Sequence, residues 1–383
     1  MNGPIFPPEE YQERIRRAQA EMDRRGIDAL IVCALDNIYY LSGYDGTISG
    51  YLYTFLLLET KGDPALFIHE VDHGTALYSS WVRDLHLWKH GQVPEAETIS
   101  FLKARGLETA VLGMEEGAAV VSVATDRALR RGLPEARFVD VSDLLARQRW
   151  TLSPSEIALM RKSAAHGDSA AAAGLAALRA GVAEKDVAKA VTDALHEVRS
   201  GRWTSVFCLG SGDKSAALHS FASDRVLAVG DVVTLVPHAD VGRYVTSIHR
   251  TATVGRAPSY VRDLYTVSLE ALQASVKHIR PGVPGGEIDR ISRRVSAKYD
   301  RYRCHRTGFS MGIAFGYGFK CMGKFGVMDG IEEPLLPGMV LSIEPNLQDI
   351  DHKIGILLGN NYLVTETGCE SLHKLPLDLF ESL

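Results

Sequence analysis

Residues 230–251 read GDVVTLVPHADVGRYVTSIHRT, and the reading of this stretch decides the rest of the chain. Gly230-Asp231 is a turn dipeptide, and Val232–Val236 is a short β-branched apolar run of the kind that makes a buried strand. Asp240–Arg243 is polar and carries a glycine, which suits a hairpin connection, and Tyr244–Thr251 suits the returning strand. Side chains two apart on a strand share a face. Val236 and His238 are therefore expected to point one way, with Ser247 and His249 pointing the same way from the partner strand.

The surrounding chain is that of an ordinary globular protein. Its 383 residues are enough for two domains with sizeable cores. A formal net charge of -5 leaves no basic footprint for nucleic acid and no polybasic membrane patch. Five scattered cysteines without a C-x-x-C pair speak against a disulfide framework or a zinc knuckle. The polar opening and the lack of a membrane-length apolar run lead us to expect a cytoplasmic protein. Tyr11–Arg25 has helical periodicity and Gly26 is placed to stop it; a strand starting at Asp28 and further strand-like runs alternate with helices, as in an α/β domain. Ser153-Pro154-Ser155-Glu156 has the form of a helix start. A domain boundary is expected near 150, giving domains 1–150 and 151–383. Beyond it we expect helices over 155–179 and 184–199, then a β-rich region, helices over 257–279 and 286–299, and a last hairpin strand over 355–366.

The 230–251 stretch resembles the metal-binding hairpin of the pita-bread family: methionine aminopeptidases, aminopeptidase P, prolidase and the metal-free creatinase. The frame is carried by Gly230-Asp231, Tyr244 and Arg250-Thr251, with Ile343-Glu344-Pro345 and the 364–370 run VTETGCE further on. The segment NIYYLSGYDG at 37–46 resembles the N-terminal domain of creatinase, prolidase and ectoine hydrolase. The resemblance implies an α/β N-terminal domain followed by an α+β pita-bread domain. It also implies a homodimer in which Tyr44-Asp45 edges the pocket of the partner subunit; for Tyr39, Tyr40 and Tyr44 the alternative is core packing.

In the family's metallopeptidases two Asp, one His and two Glu hold the metals. The resemblance assigns these positions to Val236, Ser247, Phe309, Glu344 and Gly359, so that only Glu344 keeps a ligand. No dinuclear centre and no cofactor are expected. The segment TGFSMGI, in which Phe309 stands at the family's His, resembles that of the ectoine hydrolases, where an aromatic also replaces it. His219 fits a substrate-side His of the family, and His219 and Glu344 are the candidates for acid–base work. His238, Tyr244, Ser247, His249, Arg250, Phe309 and Tyr317 are the candidates for binding substrate. Arg250 is either the partner of Glu344 or a structural ion. Phe309, Phe315, Tyr317, Phe319 and Phe325 are either an aromatic pocket wall, with Lys320 and Lys324 as polar handles, or core. A displaced metal site of His238, His249 and Glu344 is a further alternative. The expected function is metal-independent cleavage of a C–N bond in a small nitrogenous molecule. The alternatives are a repurposed biosynthetic enzyme, a ligand-binding pseudoenzyme, or an Xaa-Pro metallopeptidase.

Overall fold

Gly26 stops the first helix because its φ of 64° lets the chain turn left-handed at no steric cost, and its amide caps the carbonyls of Met22 and Asp23. That helix, α1 (Pro8–Arg25), opens an N-terminal unit, Met1–Arg149, in a computed structural model that describes residues 3–46, 52–118, 120–198, 208–315 and 325–382. The unit continues with β1 (Ala29–Val32), α2 (Leu35–Ser42), β2 (Phe55–Glu59), β3 (Ala65–His69), α3 (His73–Ser79), β4 (Asp84–Trp88), α4 (Pro94–Ala104), β5 (Val111–Met114), α5 (Val123–Gly132), β6 (Arg137–Asp140) and α6 (Leu144–Gln148). The strands form one mixed sheet in the order β4-β3-β2-β1-β5-β6. Every residue of β1 and β3 is buried, which is why these strands read as continuous apolar runs. Tyr39, Tyr40 and Tyr44 are buried within this unit.

One buried acid ties the sheet to α2. The Glu115 carboxylate accepts the amides of Cys33 (2.8 Å) and Ala34 (2.7 Å) and the side-chain amide of Asn37. Asn37 in turn accepts from the Arg149 guanidinium at 2.6 Å. Burial outweighs these donors and pushes the Glu115 carboxyl up to about 7.

The second unit, Trp150–Leu383, begins with α7 (Pro154–Ala177), opened by a capping box between Ser153 and Glu156. It continues with α8 (Glu184–Glu197), β7 (Cys208–Ser211), β8 (Val232–Val236), β9 (His238–Val241), β10 (Tyr244–Ser247), β11 (Arg250–Val254), α9 (Ser259–His278) and α10 (Gly285–Val295). The last part holds β12 (Gly308–Ser310), β13 (Gly326–Val327), β14 (Val340–Ile343), β15 (Leu347–Asp349), β16 (Ile354–Ile356), β17 (Asn360–Val364), β18 (Cys369–Ser371) and β19 (Phe380–Ser382). The orders β19-β11-β8-β7 and β13-β12-β14-β17-β18 give its two larger sheets, alongside the pairs β9–β10 and β15–β16. One core cluster packs α7 and α8 residues against β8 and β11, and another packs α9 and α10 against β14 and β17.

The hairpin forms, and it differs from the expectation in its construction. Its turn is Gly242-Arg243, both at positive φ (57° and 69°), the pattern of a type I′ turn, so Asp240 lies in β9 and not in the connection. The expected strand Val232–Val236 is β8, β9 extends its arm, and the expected returning strand is divided into β10 and β11. β9 and β10 pair from Tyr244↔Val241 to Ser247↔His238, and β8 and β11 from Arg250↔Leu235 to Thr253↔Val232. The two ladders keep one register, so the hairpin is a single ribbon broken at Pro237, which has no amide hydrogen to donate. The expected strand over 355–366 is likewise divided between β16 and β17, and β18 and β19 follow it.

Glu115 generates a pH prediction. Its folded-state pKa is raised, so its contribution to stability is full below the ordinary carboxylate range and is lost as pH rises through about 7. Glu115→Gln cannot ionise. The gap in thermal stability between wild type and Glu115→Gln should therefore be widest near pH ~5 and shrink by up to about 3 kcal/mol toward pH ~8, as followed by melts across that range.

Candidate active site

The ribbon, its break and β14 together build one pocket in the second unit. Val236 and His238 line it from one strand, and Ser247 and His249 from the other, so the face expected from the two-residue period is the face that meets the pocket. Phe309 enters from β12, Glu344 follows β14, and His219 stands at the rim, exposed. The rest of the wall is largely apolar, with Leu218, Met311, Leu357 and Cys208. Burial, with Glu344 nearby, pushes the Cys208 thiol up to about 12, which leaves it inert as a nucleophile.

Glu344 is the charged centre. Burial alone would raise its carboxyl, but the facing His249 and then His305, with the Ser342 hydroxyl, hold it below the usual carboxylate range. His249 Nε2 lies 2.8 Å from Glu344 Oε2, off the line of an aligned hydrogen bond. His305 Nδ1 lies 3.5 Å from Oε1, and the Ser342 hydroxyl donates to Oε2 at 3.0 Å. Burial draws the His305 imidazole below its ordinary value against the pull of Glu344. Three buried polar atoms of the pocket, Ser247 Oγ and both ring nitrogens of His249, have no hydrogen-bond partner among the described residues. A bound group or water can satisfy them.

His305 is the residue the sequence reading missed. It sits in the loop before β12, and the pairing of Gly308 with Ile343 is what carries it to Glu344. Only its place three residues ahead of the GFSMG segment pointed toward the site.

Several expected site residues stand elsewhere. The Tyr244 ring is fully buried and its hydroxyl donates to Glu156 Oε1 at 2.7 Å, which ties the ribbon to the capping box of α7. Arg250 is buried and does not reach Glu344. Its guanidinium donates to four carbonyls: His249 (2.7 Å), Leu375 (2.7 Å), Pro376 (3.0 Å) and Gly359 (3.1 Å). Burial draws it down to about 10, so it stays cationic at neutral pH. Of the expected aromatic wall, Phe309 lines the pocket, with the Arg306 guanidinium 4.5 Å over its ring. Phe325 belongs to the core beside Trp150, and Phe315 packs on the Arg243 guanidinium. Tyr317, Phe319, Lys320, Cys321 and Lys324 lie outside the described residues.

A profile of metallopeptidase family M24 matches residues 158–366, more than half of the chain, and one of the creatinase/prolidase N-terminal domain matches 14–150. The chain belongs to metallopeptidase family M24. Among its relatives in this family is a probable dipeptidase PepE from Mycobacterium bovis, 30% identical over 99% of this chain and 98% of the relative. Another is the ectoine hydrolase of Halomonas elongata, 28% identical over 98% of each. The prolidase structure from Thermococcus sibiricus superposes with a TM-score of 0.86 over 97% of this chain and 99% of that one; at 21% identity it shows the shared pita-bread fold.

M24 membership implies metal ions, and the donor set of this pocket does not fit a two-metal centre. Beside Glu344, the positions that the family frame assigns to ligands bring methyl groups at Val236, a neutral hydroxyl at Ser247 and a phenyl ring at Phe309. Position 359 has no side chain, and a Cβ there would stand 2.6 Å from the Ile343 carbonyl oxygen and 3.0 Å from Glu344 Cβ. Among the described residues no three His, Cys, Asp or Glu come together in a metal-holding group, which also speaks against the displaced site of His238, His249 and Glu344. Among the described residues, too, no helix is long and apolar enough to cross a membrane.

Arg250→Met should be costly because it removes a buried guanidinium that bonds four carbonyls, two of which, those of Leu375 and Pro376, are left without this donor. We expect a loss of about 3 kcal/mol or more in unfolding free energy by urea titration.

Proposed function

We propose that this M24 chain cleaves a C–N bond of a small nitrogenous molecule by hydrolysis, without bound metal, as a cytoplasmic homodimer. The observation that carries the reading is Glu344, an ionised, buried carboxylate faced by the imidazoles of His249 and His305 where the family frame calls for metal and further carboxylates. A carboxylate beside an imidazole orients it and supports the positive charge that it gains on taking a proton. In this reading Glu344 and His249 withdraw a proton from the attacking water, and His219 at the rim returns one to the departing nitrogen. Ser247 and His238 bind polar groups of the substrate, while Phe309, Val236 and Leu357 cover its apolar body. The similarity to an ectoine hydrolase supports this choice within the family.

The likeness to a probable dipeptidase favours a second reading, peptide hydrolysis of the metal-dependent kind. That chemistry needs a Lewis acid or a metal-bound hydroxide, and the donors around Glu344 do not provide for one.

A panel of small amides, ureas, amidines and Xaa-Pro dipeptides, run with and without EDTA, separates the two. We expect turnover of a non-peptide compound, unchanged by EDTA, and no stoichiometric metal by elemental analysis. About two tightly held metals per chain would sink the reading. His219→Ala and Glu344→Gln should each lower turnover by about 10²–10⁴ while the melting temperature holds. If both keep wild-type rates and His238→Ala or His249→Ala abolishes turnover, the proton chemistry lies on the ribbon alone. Light scattering should give the mass of a dimer, and a monomer at working concentration would count against the assembly.

A further inference from the structure

We infer that Asn361, backed by His373 and Asp168, is a positioning residue that holds the strand carrying Ser247 and His249 against Glu344. The inference rests on the proton chemistry proposed for His249 and Glu344. None of the three residues lines the pocket, so they act through others.

β10 ends at Ser247 and β11 starts at Arg250, and at this junction the amides of Ser247 and His249, which face away from the ribbon, need other partners. The Ile248 amide still donates back across the ribbon to the Pro237 carbonyl at 3.2 Å. The two amides that flank it turn to the segment around β17. His249 exchanges main-chain hydrogen bonds with Gly359, at 3.1 and 3.2 Å. Ser247 finds no main-chain acceptor there and donates to Asn361 Oδ1 at 2.9 Å. The side chain of Asn361 thus stands in for a strand partner where the backbone supplies none, and a buried amide left unpaired would be costly.

Asn361 is itself held. It is fully buried, and its Oδ1 lies 3.3 Å from His373 Nε2. His373 Nδ1 lies 2.9 Å from Asp168 Oδ1, and the other oxygen of Asp168 accepts the Lys374 amide at 2.7 Å. The His373 side chain is wholly shielded from solvent. A line of contacts therefore runs from α7, which carries Asp168, through His373 and Asn361 to the pocket wall. His249 stands at the end of that line, and a displacement of a catalytic group by about 1 Å costs on the order of 10² in rate.

Asn361→Leu keeps the volume and removes the acceptor; Asn361→Asp keeps an acceptor for both Ser247 and His373. With the compound that the panel identifies, Asn361→Leu should lower kcat by about 10² with KM little changed, and Asn361→Asp should restore most of it. In crystal structures the 2.8 Å approach of His249 to Glu344 should open in Asn361→Leu and persist in Asn361→Asp. Asp168→Asn, a milder change on a partly exposed helix position, should move both readouts the same way by less, and it carries the test if Asn361→Leu does not fold. An unchanged His249–Glu344 distance, an unchanged kcat, or an Asn361→Asp variant as impaired as Asn361→Leu would each overturn the inference and leave the proposed function standing. If the distance opens as expected while the wild-type protein turns over nothing in the panel, the proposed function fails and the positioning role does not.

Discussion

A ribbon that bonds to a second segment at its break is the constraint on which the pocket depends. Up to Ser247 the second arm of the ribbon pairs with β9, and from Arg250 onward with β8. At the junction the amides of Ser247 and His249 bond to the 359–361 segment, while that of Ile248 stays within the ribbon. That exchange with 359–361 holds His249 beside Glu344, which follows β14 of a different sheet. Arg250 secures the exchange from behind by gripping the carbonyls on both sides of it. This explains why an arginine expected in the pocket is found in the wall's backing.

The electrostatics of the pocket follow from that geometry. A single carboxylate buried in low dielectric would rather be neutral. Two imidazoles and a hydroxyl around Glu344 reverse that preference. The charge is sustained by groups that can themselves carry protons. The pocket is thereby suited to moving protons at neutral pH.

Much of this was legible in the sequence because it is local. A two-residue period places Val236, His238, Ser247 and His249 on one face, and the pocket confirms that face. The start of α7 was legible from Ser153 and Glu156, whose capping box needs only a spacing of three. What escaped was set by contacts distant in the chain. The break in the ribbon follows from Pro237, but its new partners lie more than a hundred residues on. His305 reaches Glu344 only through the pairing of β12 with β14, and Arg250 finds its carbonyls at 375–376. Phe309 and Phe325 sit in similar company in sequence, yet one meets the pocket and the other the core, because β12 and the 325 region offer opposite surroundings.

Gly359 gives the fold a kind of latch. Because β14 and the start of β17 close on each other at this point, to within 2.6 Å of where a Cβ would be, the backbone itself occupies the room a side chain would need. Exchanging side chains around Glu344 would leave this spacing untouched. To regain an acidic group at 359, the two strands would have to part, and the paired hydrogen bonds between His249 and Gly359 would part with them. Any side chain at 359 would thus be gained at the strands that hold His249 in place. Engineering one there would trade one arrangement for the other and could not layer the second on the first.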